Sequence, residues 1–320
     1  MKTAPAAFAW LMQKCGAEEN VLLAPYSTLR VGGPARYFVM PKEVKELQEI
    51  QLACLEHNVD LHVLGGGSNT LFGDAGFDGV VLKLAGSFDT VLGDGQSIIA
   101  GAKTSLAKVT KMAIARGWEA AVGWSGIPGL MGGAVSMNAG TPLGEIKDAI
   151  ETVYGVINGE VIVLDNHEIE FGYRHTNFPA NIIIWRVLLR YKKDLRDPSE
   201  LIVKVEEYRR KRKRTQPTTN SLGSFFKNPY PSYAAQLIEN CNLKGLKYKR
   251  AQISPLHANF IVNNGGAFAD DILQIATMAK KAVFDKFGIT LVPEVRFVGK
   301  FAFDPIQFSP LPTTITAHCS

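Results

Sequence analysis

The sequence has few cysteines and no cluster of metal-binding side chains. The four cysteines, Cys15, Cys54, Cys241 and Cys319, lie far apart, and no Cys-x-x-Cys pair or cysteine/histidine cluster occurs. This spacing offers neither a disulfide framework nor a structural zinc site, and we predict no bound metal. Reduced thiols in a cytoplasmic protein are the natural interpretation.

Targeting and membrane-spanning segments are also missing from the pattern. The first ten residues have no basic stretch followed by a long apolar run, so they do not predict a secretory signal. No apolar stretch approaches the length of a bilayer span, and no internal repeat is visible. The net charge of +5 is small; it allows an anionic substrate but does not by itself indicate nucleic-acid binding.

What is present is the composition of a globular protein. The chain has 320 residues, of which 46% are hydrophobic and 20% charged, and this balance excludes a collagen, a coiled coil and a mainly disordered chain. At roughly 150 residues per domain, the length predicts about two domains. The 30 glycines are slightly more than usual and are clustered.

Short apolar strands interspersed with helices predict an α+β fold. We expect a helical lead-in over 1–24 and further helices at 41–55, 104–116, 198–214, 232–240 and 270–287. Strands are expected at 37–40, 61–64, 80–84, 97–100, 151–157, 160–164, 182–191, 259–262 and 291–298. Thr104 is the expected N-cap of its helix, and Asp197 followed by Pro198 predicts a helix start at a domain boundary near 194–198.

Three loops rich in glycine lie in the N-terminal half. The first comprises Gly65, Gly66, Gly67, Ser68 and Asn69. Glycines allow backbone N–H groups to converge on a phosphate, and the serine and asparagine add side-chain donors. Taken alone, this loop is more typical of a tight turn. It is not a dinucleotide-binding fingerprint, because a strand rather than a helix follows it.

The second and third loops strengthen the case for a bound ligand. They contain Ser125, Gly126, Ile127 and Gly129, then Gly132 and Gly133, and finally Asn138, Ala139 and Gly140. Backbone donors before a helix favour an anion, and small residues permit close approach of a flat ligand. Close packing of a helix on a sheet would explain either loop alone. Three such loops in one half form a combination that a plain scaffold rarely needs.

Other polar residues are ambiguous when taken singly. The basic run 209–214, which ends at Arg214, fits a solvated helix end better than a nucleic-acid site. Ser224, in a loop with Lys227 and Asn228, fits a serine turn. Glu294 fits a salt-bridged surface strand, and Arg174 carries no signal of its own.

Seven motifs together resemble one family. In chain order they are TxxxGGPA (28–35), GGGSN (65–69), SGIPGxxGGA (125–134), MNAG (137–140), GYR (172–174), GSFFKNP (223–229) and PEVRFVG (293–299). The chain therefore resembles the UDP-N-acetylenolpyruvoylglucosamine reductases (UDP-N-acetylmuramate dehydrogenases), in the form that lacks an extra tyrosine-bearing loop. The match covers about residues 20–300.

The resemblance implies a domain organisation and a cofactor. A two-subdomain FAD-binding fold of the vanillyl-alcohol-oxidase type would follow the lead-in of 1–24 and occupy 25–194, divided at about 85/86. A smaller α+β substrate domain would occupy 195–300, followed by a tail at 301–320. The three loops would hold FAD non-covalently, and NADPH and a UDP-sugar would be the other partners.

The resemblance also implies a role for each matched polar residue. Arg174 and Glu294 would act at the carboxylate of the substrate, and Ser224 would donate a proton to the carbanion-like intermediate. Asn228, Lys227 and a cation near Arg214 would hold the uridine diphosphate. The implied activity is the NADPH-dependent reduction that yields UDP-N-acetylmuramate for peptidoglycan.

Two alternatives stay open. Another FAD oxidoreductase of the same fold would use the N-terminal half with a different substrate, although the motifs of the C-terminal part disfavour it. A non-enzymatic protein could bind anions or RNA through residues 209–214.

Overall fold

The computed structural model describes residues 6–302, and this part of the chain divides into two compact units. The first unit comprises residues 6–19, 37–66 and 79–210; the second comprises 20–36, 67–78 and 211–302. Residues 20–24 of the predicted lead-in, and residues 25–36 and 67–78 of the domain predicted at 25–194, thus belong to the second unit. Residues 195–210, which we predicted in the C-terminal domain, belong to the first unit.

Seven α-helices lie in residues 6–302. They are α1 (Ala6–Lys14), α2 (Val44–Glu56), α3 (Leu106–Ile114), α4 (Met131–Ser136), α5 (Pro198–Thr215), α6 (Ala234–Asn240) and α7 (Ala269–Phe287).

The strands of the same residues are mostly short. They are β1 (Glu18–Leu22), β2 (Pro34–Val39), β3 (Leu61–Val63), β4 (Thr70–Phe72), β5 (Phe77–Leu82), β6 (Val91–Leu92), β7 (Ser97–Gly101), β8 (Gly140–Thr141), β9 (Gly144–Glu145), β10 (Ile150–Ile157), β11 (Glu160–Asp165), β12 (Phe171–Gly172), β13 (His175–Thr176), β14 (Ile183–Arg190), β15 (Ser221–Ser224), β16 (Lys247–Tyr248), β17 (Ala251–Ile253), β18 (Phe260–Asn263) and β19 (Arg296–Val298).

The core of the first unit is built on a five-stranded antiparallel sheet. Its strand order is β11-β10-β14-β7-β6. Val153 of β10 stands opposite Val187 of β14, which stands opposite Ala100 of β7, and all three side chains are fully buried. Fully burying an aliphatic side chain of this size contributes about 1.5–3 kcal/mol, so the register fixes which face of the sheet is apolar.

A second sheet, of order β1-β2-β5-β3, pairs β3 with β5 in parallel. The neighbouring helix α2 buries Leu47 and Ile50, as its helical spacing predicts, but Leu55 is 49% exposed. Gln51 can be buried on this helix because both ends of its side-chain amide are hydrogen-bonded. Its Nε2 donates to the Asn181 carbonyl at 2.6 Å, and its Oε1 accepts the Gly159 N–H at 2.9 Å.

The second unit has its own core. Its sheet has the order β15-β18-β17-β16, and α7 packs its buried face into the same apolar cluster. Leu29, Val31 and Leu71, which come from the two N-terminal segments of this unit, complete that cluster. Strand β19 pairs in parallel with β4, so Arg296 lies opposite Thr70.

The predicted α+β class is confirmed, and the differences have local causes. The strand expected at 291–298 is regular only in β19, because 292–294 bonds to residues 225–227 instead of to a sheet. The N-cap of α3 is Ser105, whose hydroxyl accepts the Lys108 N–H, while Thr104 is buried and donates to the Thr90 carbonyl.

The predicted N-terminal lead-in is not helical throughout. Among its described residues, 6–24, the α-helix covers Ala6–Lys14, and β1 occupies Glu18–Leu22, where we expected helix. The tail predicted at 301–320 lies outside the described residues except for its first two. Within 6–302, no helix combines the length and apolar character needed to cross a membrane.

Asp74 caps the longest helix from a distant part of the same unit. Its two carboxylate oxygens accept the N–H groups of Ala269 and Asp270, at 2.8 and 3.1 Å. Negatively charged acceptors at a helix N-terminus bond the first N–H groups, which have no partner within the helix, and interact favourably with the helix dipole. We expect Asp74→Ala to lower the free energy of unfolding by about 2 kcal/mol in urea titrations.

A matched control on the same helix is Asp285→Ala. Asp285 pairs with Lys281 at 2.6 Å, but both side chains are mostly exposed. Because such pairs contribute about 0–1 kcal/mol, this variant should unfold close to the parent. Equal effects of the two substitutions would show that Asp74 does not act as a cap.

Candidate functional site

The predicted site residues fall into two groups, one in each unit. The first unit contains Gly65, Gly66, Ser125, Gly126, Ile127, Gly129, Gly132, Gly133, Asn138, Ala139, Gly140 and Arg174. The second contains Gly67, Ser68, Asn69, Arg214, Ser224, Lys227, Asn228 and Glu294.

Two of the glycine-rich loops touch in the first unit. A Cβ built on Gly66 would lie 3.2 Å from the Cα of Gly129, closer than side chains normally approach a backbone. Gly129 itself has a φ of +143°, which L side chains rarely adopt, and Gly126 has a φ of +73°. Backbone conformation therefore favours glycine at 126 and 129, and close contact with Gly129 favours it at 66.

Other glycines of the same loops border open space. A Cβ on Gly65 or on Gly133 would meet no atom within 4 Å. Neither position therefore needs glycine for packing within this chain, which leaves room for a ligand that lies against the backbone. The indole Nε1 of Trp124, directly before Ser125, is buried without a hydrogen-bond partner among the described residues.

A lysine that the sequence did not single out reaches the first loop. Lys83, just after β5, donates from Nζ to the Gly65 carbonyl at 3.1 Å. Burial, together with the charge of Lys103, lowers the pKa of the Lys83 ammonium below its usual value. A desolvated cation beside a glycine-rich loop is suited to an anionic ligand.

The third loop is bonded to the hairpin that carries Arg174. The amide of Asn138 is fully buried; its Nδ2 donates to the Gly172 carbonyl at 3.0 Å and its Oδ1 accepts the Lys147 N–H at 3.3 Å. Nη2 of Arg174 donates to the Gly140 carbonyl at 2.8 Å. The side chain of Asn138 thus holds the loop together, and its part in FAD binding stays a prediction.

Arg174 lies at the turn between β12 and β13. Its φ is +53°, in the left-handed region that few residues other than glycine, asparagine and aspartate adopt. Backbone strain of this kind costs about 1–3 kcal/mol and is concentrated at functional sites. The ring of Tyr173 lies under its guanidinium, 5.3 Å from the Cζ atom.

In the second unit, the end of the first loop is fixed by backbone contacts. A Cβ on Gly67 would clash with the carbonyl oxygen of Tyr26 and would lie only 3.0 Å from the carbonyl carbon of that residue. The Gly67 carbonyl also accepts the Thr28 N–H at 3.0 Å. Asn69 bonds to the segment that carries Glu294. Its Nδ2 donates to the Glu294 carbonyl at 3.0 Å, and its own carbonyl accepts the Arg296 N–H at 2.9 Å.

Ser224 follows a bulge in the sheet. Ser221 pairs with Val262 and Ser224 with Phe260, so β15 has one more residue than β18 between the same two rungs. Gly223 supplies the positive φ, +77°, within this extra step. A bulge changes the direction of the side chain that follows it, so the half-buried Ser224 owes its orientation to this glycine.

The chain after Ser224 is bonded on both sides. The Phe225 carbonyl accepts the Glu294 N–H at 2.9 Å, and the Lys227 N–H donates to the Val292 carbonyl at 2.8 Å. On the other side of this segment, the side chain of Asn259 bonds to the N–H and the carbonyl of Phe226. Ser224 and Glu294 are thus joined through one backbone hydrogen bond, one residue beyond Ser224.

The three predicted substrate-binding residues differ in their surroundings. Oδ1 of Asn228 accepts the Ala234 N–H at 3.1 Å, so this side chain caps α6. Lys227 is half-buried, while Arg214 is exposed in the last turn of α5. That these residues bind substrate stays a prediction.

Asn259 was placed in a predicted strand without a role. The signal that would have singled it out is a polar residue directly before the apolar run Phe260–Val262, because an amide buried with such a strand needs partners. It is 3% exposed. No comparable signal marks Lys83, whose importance depends on the fold.

Comparisons with known proteins identify two family matches along the chain. Residues 35–163 match a family described as FAD binding domain, and residues 216–298 match the UDP-N-acetylenolpyruvoylglucosamine reductase C-terminal domain. The UDP-N-acetylenolpyruvoylglucosamine reductase of Anaeromyxobacter sp. (strain Fw109-5) is 39% identical over 286 residues, 89% of each chain. The chain belongs to the UDP-N-acetylenolpyruvoylglucosamine reductase family.

Other members of this family agree over the same length. The reductase of Myxococcus xanthus (strain DK1622) is 37% identical over 307 residues, which is 94% of this chain and 98% of the relative. The crystal structure of the Thermus caldophilus reductase superposes with a TM-score of 0.76 at 38% identity, and covers 88% of this chain and 98% of that chain. The resemblance inferred from the motifs is therefore confirmed.

Members of the UDP-N-acetylenolpyruvoylglucosamine reductase family are FAD-dependent oxidoreductases that use NADPH, and this chain is such an enzyme. The first unit fits FAD on its own evidence. The open space beside Gly65 and Gly133 leaves the backbone accessible, and Lys83 brings a cation to the same loop. These are the features that a flat cofactor with a diphosphate requires.

Substitution of two adjacent glycines separates packing from cofactor binding. We expect Gly65→Ala to keep the melting temperature of the apoprotein, because its Cβ meets nothing, but to weaken FAD binding measured by flavin fluorescence. Gly66→Val should weaken FAD binding further and also disturb the contact with Gly129. If Gly66→Val retained one FAD per chain, the first loop would not be part of the cofactor site.

Proposed function

We propose that this protein reduces UDP-N-acetyl-enolpyruvoylglucosamine to UDP-N-acetylmuramate with NADPH, a step of peptidoglycan precursor synthesis. The observation that supports this most is the hydrogen bond from Glu294 N–H to the Phe225 carbonyl, 2.9 Å, which links the segment of Ser224 to that of Glu294. The match of residues 216–298 to the reductase C-terminal domain supports the same substrate.

The reaction adds the elements of H₂ across the enol-ether double bond. FAD held by the glycine-rich loops of the first unit would supply the hydride chemistry, with NADPH as the reductant and the terminal carbon of the enolpyruvyl group as the acceptor. Negative charge then develops on the neighbouring carbon and its carboxylate. A proton must reach that carbon, so the balance is one substrate, one NADPH and one H⁺ consumed for one product and one NADP⁺.

Ser224 supplies that proton in our proposal. A serine hydroxyl is a weak acid, but the carbanion-like intermediate is basic enough to accept a proton from it. The bulge at Gly223 and the bonds to Phe225 support this role, because they fix the backbone on both sides of the hydroxyl. The serine alkoxide is afterwards reprotonated from solvent.

Arg174 and Glu294 stabilise the developing charge. We propose that the Arg174 guanidinium hydrogen-bonds the substrate carboxylate, where it stabilises the transition state more than the ground state. Glu294, if protonated, donates to the same group. The strained backbone of Arg174 supports a positioning of this side chain that local structure alone would not favour.

We further propose that Lys227, Asn228 and Arg214 bind the uridine diphosphate. A cation beside a diphosphate binds through charge and hydrogen bonds that do not change during the reaction. Oδ1 of Asn228 accepts the Ala234 N–H, which anchors this side chain at the start of α6. We place the reaction in the cytoplasm, where thiols such as that of Cys54 stay reduced.

Ser224→Ala tests the proton donor. Reduction of the flavin by NADPH should stay near the wild-type rate, because it does not need this proton. Reoxidation of the flavin by the enolpyruvyl substrate should slow about 10²–10⁴-fold in stopped-flow experiments, as is typical for loss of a general acid. Equal slowing of both half-reactions would instead assign Ser224 a structural role.

Arg214→Ala tests the diphosphate contact. Because diphosphate binding is the same in ground and transition states, KM for the UDP-sugar should rise more than kcat falls. Arg209→Ala, in the same basic run, is the control and should leave both constants unchanged. Tight, salt-sensitive RNA binding that weakens with each charge removed from 209–214 would support the alternative of a nucleic-acid-binding protein.

A further inference from the structure

The side chain of Asn259 forms two hydrogen bonds with one backbone residue. Its Oδ1 accepts the Phe226 N–H at 2.9 Å, and its Nδ2 donates to the Phe226 carbonyl at 2.8 Å. The carbonyl of Asn259 also accepts the Phe225 N–H at 2.7 Å. The orientation of the amide is fixed, since the Phe226 N–H can bond only an acceptor and its carbonyl only a donor.

These bonds continue the sheet where its strands end. Ser224 opposes Phe260 in the last rung of the β15–β18 pair, and Asn259 directly precedes that rung. A reciprocal pair of N–H···O bonds is the pattern of one rung of an antiparallel sheet. Here a side-chain amide takes the place of a strand residue. It bonds to Phe226, which lies two residues after Ser224.

Asn259 is itself held from behind. Its N–H donates to Nδ1 of His257 at 3.3 Å, and the His257 ring packs edge-on against Phe260, with 4.7 Å between the ring centroids. Burial lowers the pKa of His257, so the ring stays neutral and its Nδ1 remains an acceptor at neutral pH. The backbone of Asn259 is therefore itself hydrogen-bonded, to a ring that packs against the neighbouring strand residue Phe260.

The opposite edge of the same segment faces the residues before β19. The Phe225 carbonyl accepts the Glu294 N–H, and Phe226 forms a bridge with Pro293. Phe225 and Phe226 are 2% and 1% exposed, so water cannot replace these bonds. Loss of the Asn259 amide would remove the hydrogen-bond partner of the buried Phe226 N–H and that of its carbonyl. The segment could then shift.

We propose that Asn259 is a positioning residue that sets the position of Ser224 relative to Glu294 by binding the backbone of Phe226. It has no contact with substrate in this role and acts only through the segment 225–226. The inference rests on the proposed function, in which Ser224 is the proton donor.

The test is stopped-flow kinetics of FAD-loaded Asn259→Ala. Reduction of the flavin by NADPH should be unchanged. Reoxidation by the enolpyruvyl substrate should slow about 10- to 100-fold, since a displacement of the order of 1 Å has effects of this size. The solvent deuterium isotope effect on reoxidation should increase, because misaligned proton transfer then limits the rate.

The control is Gln51→Ala in the first unit. Gln51 is 1% exposed and, like Asn259, uses its amide to donate to one backbone carbonyl and to accept from one backbone N–H. Its loss should lower the melting temperature comparably and leave both half-reactions at the wild-type rate. A rate change in this variant equal to that of Asn259→Ala would overturn the proposal, because stability alone would then explain it.

Asn259→Asp provides a second variant should the alanine variant fail to fold. The carboxylate keeps an acceptor for the Phe226 N–H but has no donor for the Phe226 carbonyl, so reoxidation should again be the slower half-reaction. Hydrogen–deuterium exchange of a peptide containing Phe226 should be faster than in the wild type, independent of activity. Wild-type exchange at this peptide would overturn the proposal.

Ser224→Ala, measured in parallel, separates the two hypotheses. If it slows reoxidation and neither Asn259 variant does, the positioning role is wrong while the proposed function stands. If Ser224→Ala reoxidises normally, the serine is not the proton donor and both hypotheses are wrong.

Discussion

In the second unit, the positions of the predicted catalytic residues depend on one constraint. The backbone N–H and carbonyl groups of the buried segment 225–227 must all find hydrogen-bond partners outside a regular sheet. Residues 225–227 have no regular strand neighbours, yet both phenylalanines are almost fully buried. One edge bonds to Asn259 and the other to 292–294. Because an unpaired buried backbone group costs about 1–3 kcal/mol, the segment has few alternative positions. Ser224 and Glu294 flank the bonds that result.

Several loop residues that resemble ligand contacts also have structural duties. The buried amide of Asn138 links its loop to Gly172, and the Asn69 amide bonds to the Glu294 carbonyl. Asn228 caps a helix. A motif can therefore be diagnostic of a family because its side chains build the loop. A ligand of such a loop would contact backbone groups and occupy the open volume beside the glycines. The two kinds of glycine in the first unit show the same distinction, since Gly66 touches backbone and Gly65 borders open space.

Sequence patterns predicted the elements whose signals are local. The helix predicted at 270–287 and the strands predicted at 151–157 and 182–191 are present as α7, β10 and β14, because their patterns of apolar residues are local. The strand expected at 291–298 was wrong over its first half, because its partner there is a distant loop rather than a strand. The sequence patterns did not predict roles for Lys83 and Asn259 for the same reason: their roles arise from contacts with residues far away in the sequence. The family motifs identified Ser224 and Glu294 as candidates, but periodicity alone could not relate them.

The second unit takes its chain from three separate stretches, and this affects the order in which the protein can form during translation. Asn69 and Glu294, which are bonded to each other, are 225 residues apart. At about 5–20 residues per second, a ribosome needs roughly 10–45 s to synthesise that interval. Leu29, Val31 and Leu71 must wait that long for the rest of their core. Until residues 211–302 have been synthesised, the nascent chain therefore carries these apolar side chains without most of the residues that bury them in the folded protein.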